Sequence, residues 1–173
     1  MPEKTDITAG DTGGFAAFMA ASQHRMIRLA EILTGDRGRA EDLAQHGYAK
    51  AYANWRRLEN DNPEAYVRRC IVNAHTDWWR RRTWREHPSA ALPEQPERQD
   101  SASALAERDL VHRALSRLTE RERTVVALRF YLDLSEAQIA DELGIKPGTV
   151  KSTTSRALAK LRTDADLKAE AIS

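Results

Sequence analysis

The stretch EHPSAALPEQPERQDSASA, residues 86–104, constrains this chain more than any other feature. It places Pro88, Pro93 and Pro96 among small and polar residues, with almost no bulky apolar side chain. Proline lacks the amide donor that a helix or inner strand requires, and the segment has little with which to pack. It reads as an extended linker, 87–104, between two lobes, 14–86 and 105–163, each just large enough to bury a small core. Residues 1–13 read as a flexible N-terminus and 164–173 as a frayed acidic tail.

Both lobes read as helical, so the expected fold class is all-α: two small helical domains joined by the linker. In the first lobe Phe15, Phe18, Met19, Met26, Leu29, Ile32 and Leu33 recur at three- and four-residue spacing. TGDRG, 34–38, breaks that run with two glycines. A second helix places Leu43, Tyr48, Ala51, Tyr52 and Trp55 on one side. ENDNPE, 59–64, predicts a loop with Asn62 as N-cap and Pro63 at the first helical position. A third helix then aligns Val67, Cys70, Ile71, Ala74 and Trp78, which puts Trp78 in the core. No strand-like alternation and no internal repeat appear.

Several function classes are disfavoured. No apolar run approaches the ~20 residues of a membrane span, so membrane insertion is not expected. The polar N-terminus does not resemble a secretion signal, and a cytoplasmic location is expected. Cys70 is the single cysteine, which excludes an internal disulfide and a cysteine metal cluster. The five histidines are scattered, and neither a carboxylate cluster nor a phosphate-cradling glycine loop occurs. No enzymatic activity, metal or cofactor is expected.

The net charge is only +1, but its distribution is uneven. Residues 63–87 carry six basic against three acidic residues, and 143–162 carry five basic and no acidic ones. The intervening 88–109 carry two against five. Two short cationic segments on an acidic background suggest two polyanion contacts; the plainer reading is two solvated helix faces.

The first segment ends in WWRRRTWR, 78–85. Trp79 falls about 100° round the helix from Trp78, Arg80, Arg81 and Arg82 spread over the last turns, and Asn73 and Asp77 point away from the apolar stripe. Arginines beside an exposed indole can hold a sugar-phosphate backbone while stacking an unpaired base. The second segment, EAQIADELGIKPGTVKSTTSRALAKL (136–161), has helix-turn-helix spacing. Ala140 suits a close helix crossing, Gly144 a turn of positive φ, and Val150 an anchor of the second helix, which Pro147 opens. Val150, Thr154, Ala157, Leu158 and Leu161 share one face. Lys151, Ser152, Ser155 and Arg156 form the other, short and rich in donors, as entry into a major groove requires. Upstream, Thr119 to Glu122 spell a capping box, making Glu120 and Glu122 cap and dipole partners rather than catalysts.

RAEDLAQ (39–45), NPEAYVRRCIVNAHTDWWRRR (62–82), LTERERTVVALRFYLDLSEAQIADELGI (118–145) and GTVKSTTSRALAKLR (148–162) together resemble a sigma-70-family transcription initiation factor. The resemblance is to the two-domain extracytoplasmic-function (ECF, group IV) class and its SigE-type subfamily, and covers residues 14–162. It implies a bacterial RNA polymerase subunit without catalysis of its own. The first lobe resembles region 2, which binds the polymerase clamp helices and melts the −10 promoter element. The second resembles region 4, which meets the flap and reads the −35 element as duplex. The resemblance assigns Glu41, Asp42 and Gln45 to the polymerase. It assigns Asn73 to a flipped-base pocket whose other wall is the loop near Leu58–Asn62, and Arg80, Arg81 and Arg82, beside Trp79, to the −10 backbone. Lys151, Ser152, Ser155 and Arg156 match the −35 reading positions, with Thr153 and Thr154 less basic than common alternatives. His46-Gly47 stands where many relatives carry an acid and a bulky residue. An anti-sigma factor is a further partner that the resemblance admits, and the linker acids could mimic RNA phosphate in the polymerase's RNA path. LTERE…LSEAQIADELGI…GTVKS alone also resembles the output domain of dimeric LuxR-type regulators, the alternative reading.

Overall fold

The computed structural model describes the backbone of residues 12–85 and 102–172, and side chains over 13–82 and 109–163. Residues 86–101 therefore lie outside the described residues, as do most of the N-terminal segment and the tail side chains, while 102–104, expected as the end of the linker, are helical and open the first helix of the second lobe. All regular structure among the described residues is helical, as the sequence periodicity predicts. The first group comprises α1 (Thr12–Thr34), α2 (Arg37–Ala53), a single turn α3 (Trp55–Leu58) and α4 (Pro63–Arg85). The second comprises α5 (Ala102–Ser116), α6 (Glu120–Val126) continuing into a π-helical turn (Ala127–Tyr131), α7 (Glu136–Leu143) and α8 (Pro147–Ile172).

Helix boundaries follow local chemistry. Gly35 adopts φ 68 and stops α1, while Gly38, expected in the break, is already inside α2. Asp36 caps α2 by accepting from the Arg39 amide at 2.7 Å. Asn54 then interrupts the second helix, so Trp55 belongs to α3. Asn62 Oδ1 accepts from the Ala65 amide at 2.9 Å with Pro63 opening α4, the arrangement read from the sequence. The capping box at Thr119–Glu122 is formed, and Ser135–Gln138 makes a second one at the start of α7. Residues 164–172, expected as a frayed tail, continue α8 as helix. Ala, Leu, Lys and Glu dominate there, and such residues propagate a helix with little entropic cost.

The buried side of α2 is Ala40, Ala44, Gly47, Tyr48 and Ala51, a face of small residues rather than the aromatic stripe predicted; Tyr52 is largely exposed. Small residues let α2 and α4 approach closely. A Cβ on Gly47 would stand 3.1 Å from Val67 Cγ1 and 3.2 Å from the Val67 carbonyl oxygen. This contact gives a packing reason for the absence of a bulky residue at 47. At the outer end of α1, Phe15, Phe18, Tyr48 and Trp55 form an aromatic cluster with ring centroids 5.3–6.5 Å apart.

The largest apolar cluster does not stop at the first group. Met26, Leu29 and Leu33 of α1 and Val67 and Ile71 of α4 share it with Val125, Leu128, Ile139 and Val150 of the second group. Polar contacts reinforce this packing. Arg123 of α6, buried, donates from Nη1 to the Leu33 carbonyl at 3.1 Å, satisfying an acceptor at the C-terminal end of α1. Arg68 of α4 donates to both carboxylate oxygens of Glu142 in α7, at 2.7–2.9 Å, and the Glu142 side chain is only 2% exposed.

Candidate nucleic-acid interface

The α4 candidates separate onto two faces. Asn73, Thr76, Asp77 and Arg80 follow i, i+3, i+4, i+7 spacing and line one cleft of about 310 Å³. Its opposite wall comes from the second group: Glu120, Arg121 and Thr124 of α6 and Leu143 of α7. Thr76 Oγ1 donates to Glu120 across it at 3.3 Å, and Arg80 lies 3.7 Å from its helical neighbour Asp77. None of residues 58–62, the loop expected as the other wall, lines this cleft. The helix explains why: Asn73 is ten residues along α4 from Pro63, about 15 Å at 1.5 Å per residue.

The second cleft, about 350 Å³, lies between α2 and α4 and is lined by Arg39, Asp42, His75, Trp78 and Arg81 among others. Trp78, expected in the core, is half-buried instead. The Arg39 guanidinium stacks 3.6 Å from its ring centroid and Arg82 approaches to 5.0 Å. Burial lowers the pKa of Arg39 and the charge of Arg82 adds to that, while Asp36 opposes it. Trp79 is also half-buried, edge-on to Trp78 at 5.5 Å and to His75 at 6.5 Å. The core position belongs to His75, which is 1% exposed. Burial, with the cations Arg39 and Arg123, pushes its pKa down to about 3, and its Nδ1 meets no hydrogen-bond partner among the described residues. The sequence holds a signal for this: Val67, Ile71 and His75 repeat at four-residue spacing, and the larger tryptophan three residues on competes with it.

On α2, Asp42 and Gln45 are exposed and Glu41 is half-buried, held by Arg37 Nε at 2.7 Å, which also pairs with Glu31. The three share one face by helical spacing.

The helix-turn-helix geometry is present. Gly144 adopts φ 63 between α7 and α8, Ala140 is 4% exposed, and Ile139 and Val150 are fully buried. Ser135 and Gln138 fix the start of α7, and Arg129 Nη1 donates to the Leu134 carbonyl at 3.2 Å, holding the turn after the π-helix. Lys151, Ser152, Ser155 and Arg156 all face solvent on α8. Thr153, grouped with the reading face by sequence, is 1% exposed and packs inward beside Ala157 instead. Behind them Glu122 pairs with Lys160 at 2.7 Å. Burial alone would raise the Glu122 pKa, but the Lys160 and Thr119 hydrogen bonds outweigh it and lower it.

Among the described residues no group of three or more His, Cys, Asp or Glu is placed to hold a metal ion, and no helix is long and apolar enough to cross a membrane. Neither basic face presents a hydrolytic constellation. What they offer is charge, hydrogen-bond donors and indole.

Comparison with known proteins bears on both faces. Residues 18–85 match Sigma-70 region 2 and residues 108–161 match Sigma-70, region 4. The chain is 37% identical over 167 residues to the RNA polymerase sigma-E factor of Streptomyces coelicolor, covering 94% of each chain. It is 30% identical over 164 residues to the ECF RNA polymerase sigma factor SigL of Mycobacterium tuberculosis, covering 89% of this chain and 92% of the relative. In fold it is similar to the sigma factor RpoE in complex with the anti-sigma factor NepR from Bartonella quintana, with TM-score 0.65 and 24% identity over 86% of this chain and 94% of that one. It is also similar to CnrH in complex with the cytosolic domain of CnrY, with TM-score 0.62 and 22% identity over 88% of each. The region 2 match leaves the LuxR-type alternative without support.

Proposed function

The chain belongs to the sigma-70 family of promoter-directing transcription initiation factors, ECF class, and from that premise we propose how its residues divide the work. The α2 face of Glu41, Asp42 and Gln45 docks on the clamp helices of bacterial core RNA polymerase, and the second helical group meets the flap. The two faces of α4 then capture the melted −10 strand. Asn73 receives a flipped base, while Trp79, Arg80, Arg81 and Arg82 hold its stacked or backbone neighbours. Lys151, Ser152, Ser155 and Arg156 read the −35 duplex from the major groove. The working units are 14–86 and 105–163, the protein acts in the cytoplasm, and it has no catalysis of its own.

One observation carries this reading: region 2 and region 4 matches fall on the two segments that bear the cationic faces, and four polar side chains of α8 stand in solvent around a buried Val150 anchor. Opening a few base pairs costs several kcal/mol, which stacking at roughly 1–3 kcal/mol per base can offset only if the strand is held in place. Neither face alone is strongly basic, so useful affinity requires both to be positioned by polymerase.

The test is transcription by purified core polymerase on a fragmented genomic library with this protein added, followed by mapping of 5′ ends. Starts that share spaced −35 and −10 elements are expected; starts indistinguishable from core enzyme alone would overturn the reading. Glu41→Lys with Asp42→Lys should reduce capture by core polymerase, and a pull-down at wild-type yield would remove the docking role.

A further inference from the structure

Arg39 reaches into the α2–α4 cleft from α2, and it is fixed at both ends. Its amide donates to the Asp36 carboxylate at 2.7 Å, which pins the backbone in the first turn of the helix. Its guanidinium lies 3.6 Å from the centroid of the Trp78 ring on α4. A planar guanidinium at that distance lies on the indole as a stacked cation. Among the described residues no ion pair or side-chain hydrogen bond competes for this guanidinium, so the ring is its partner.

The contact begins a chain of rings. Trp78 meets Trp79 edge-on, with centroids 5.5 Å apart and planes at 88°. Trp79 in turn meets His75 edge-on at 6.5 Å, and His75 is held in the core at 1% exposure. Arg82 also approaches the Trp78 ring, at 5.0 Å. Trp79 and Arg82, both assigned above to the melted strand, therefore bear on Trp78, and Arg39 holds that ring from the other helix. A half-buried indole without such a contact has several rotamers open to it. Ordering it only when the strand arrives would subtract from binding.

We propose that Arg39 is a positioning residue for the single-stranded −10 element: stacked on Trp78, it fixes the ring against which Trp79 and Arg82 are aligned, without itself touching nucleic acid. This rests on the functional reading above. Such a brace acts on the captured strand and leaves polymerase docking and duplex reading alone. It also gives α2 a second task beside the docking face of Glu41, Asp42 and Gln45.

The experiment compares the full chain with Arg39→Ala and Arg39→Lys. Lysine keeps the charge and the aliphatic stem but has no planar group to stack. The first readout is ultraviolet circular dichroism of the free protein, in which two indoles 5.5 Å apart couple into bands of opposite sign; Trp79→Phe removes the pair and so identifies that signal. The second is permanganate reactivity of the bubble in complexes with core polymerase on a mapped promoter. Capture by core and nuclease protection of the −35 region are measured on the same complexes. Both Arg39 substitutions should weaken the coupled bands and lower bubble reactivity roughly fivefold, with capture and −35 protection at the wild-type level. Unchanged bands overturn the brace. Weakened bands with full bubble reactivity overturn its part in opening. Full recovery of reactivity in Arg39→Lys means that charge alone acts, and overturns positioning in favour of a phosphate contact. A parallel loss of capture and −35 protection reduces Arg39 to a general stabiliser and overturns it too. If Arg39→Ala loses helicity, Arg39→Lys is read in its place. The dichroism needs neither polymerase nor promoter, so a failed brace is distinguishable from a failed sigma-factor reading.

Discussion

On α4, several side chains meet another element: Trp78 lies under Arg39 of α2, and Asn73 and Thr76 look across a cleft at Glu120 of α6, while Arg80 and Arg81 are exposed. On α8, Lys151, Ser152, Ser155 and Arg156 stand in water, and the helix that carries them is placed by the turn at Gly144 and the buried Val150. Both segments are cationic, yet the first is assembled from residues far apart in the chain and the second almost wholly from its own. A surface that must seize an unpaired base benefits from half-buried indole and a shielded cleft; one that enters a duplex groove needs unobstructed donors. The α4 side should therefore respond to changes at a distance, and the α8 side only to changes on itself.

The largest expected effect tests the first half of that contrast. Gly47→Val inserts atoms against the Val67 carbonyl and side chain, and overpacking of this kind costs about 1–3 kcal/mol. It should lower the urea midpoint and also weaken −10 opening, though residue 47 touches no nucleic acid in the proposed scheme. A Gly47→Val protein with wild-type midpoint would remove the distinction. Next comes pH. In the unfolded chain His75 takes up a proton near 6.5, whereas the buried ring resists until about 3. The unfolded state thus binds more protons in that window. Stability is fully present above pH 6.5 and falls as pH drops towards 3, by about 2 kcal/mol between pH 7 and pH 5. His75→Leu should flatten that limb in denaturant titrations at each pH; an unaltered slope would show that other groups set it. The smallest effect belongs to the α8 side. A Cβ on Gly148 would touch nothing within 4 Å, so Gly148→Ala should raise stability by about 0.5 kcal/mol and leave −10 opening untouched. A loss comparable to that of Gly47→Val would break the contrast.

The same division governs what is legible in the sequence. The helix-turn-helix, with Ala140, Gly144, Pro147 and Val150, is written within about ten residues, and the caps at Asn62 and Thr119 within four, so local spacing recovers them. The burial of His75 is legible from its spacing behind Val67 and Ile71, but the large indole of Trp78 nearby is the stronger apolar signal and points to the wrong residue. The pairing of Arg39 with Trp78, Arg68 with Glu142, and Arg123 with the Leu33 carbonyl joins residues 39 to 90 positions apart. Nothing in either partner's neighbourhood marks it, because a half-buried arginine and a solvated one have the same local pattern. Thr153 departs from expectation for a smaller reason: the helix buries 150, 153 and 157, a face turned slightly from the one drawn through 154 and 158.

The central claim is that two cationic faces do different jobs, one on a melted strand and one on intact duplex. It is tested most directly by comparing Asn73→Ala and Arg156→Ala in complexes of this protein with core polymerase on a mapped promoter, following permanganate reactivity of the bubble and nuclease protection of the −35 region together. Asn73→Ala should lose bubble reactivity and keep −35 protection, while Arg156→Ala should lose protection, by about 1–3 kcal/mol of discrimination if it reads a base. If both substitutions reduce both signals alike, or Asn73→Ala leaves the bubble unchanged, the division of labour is contradicted.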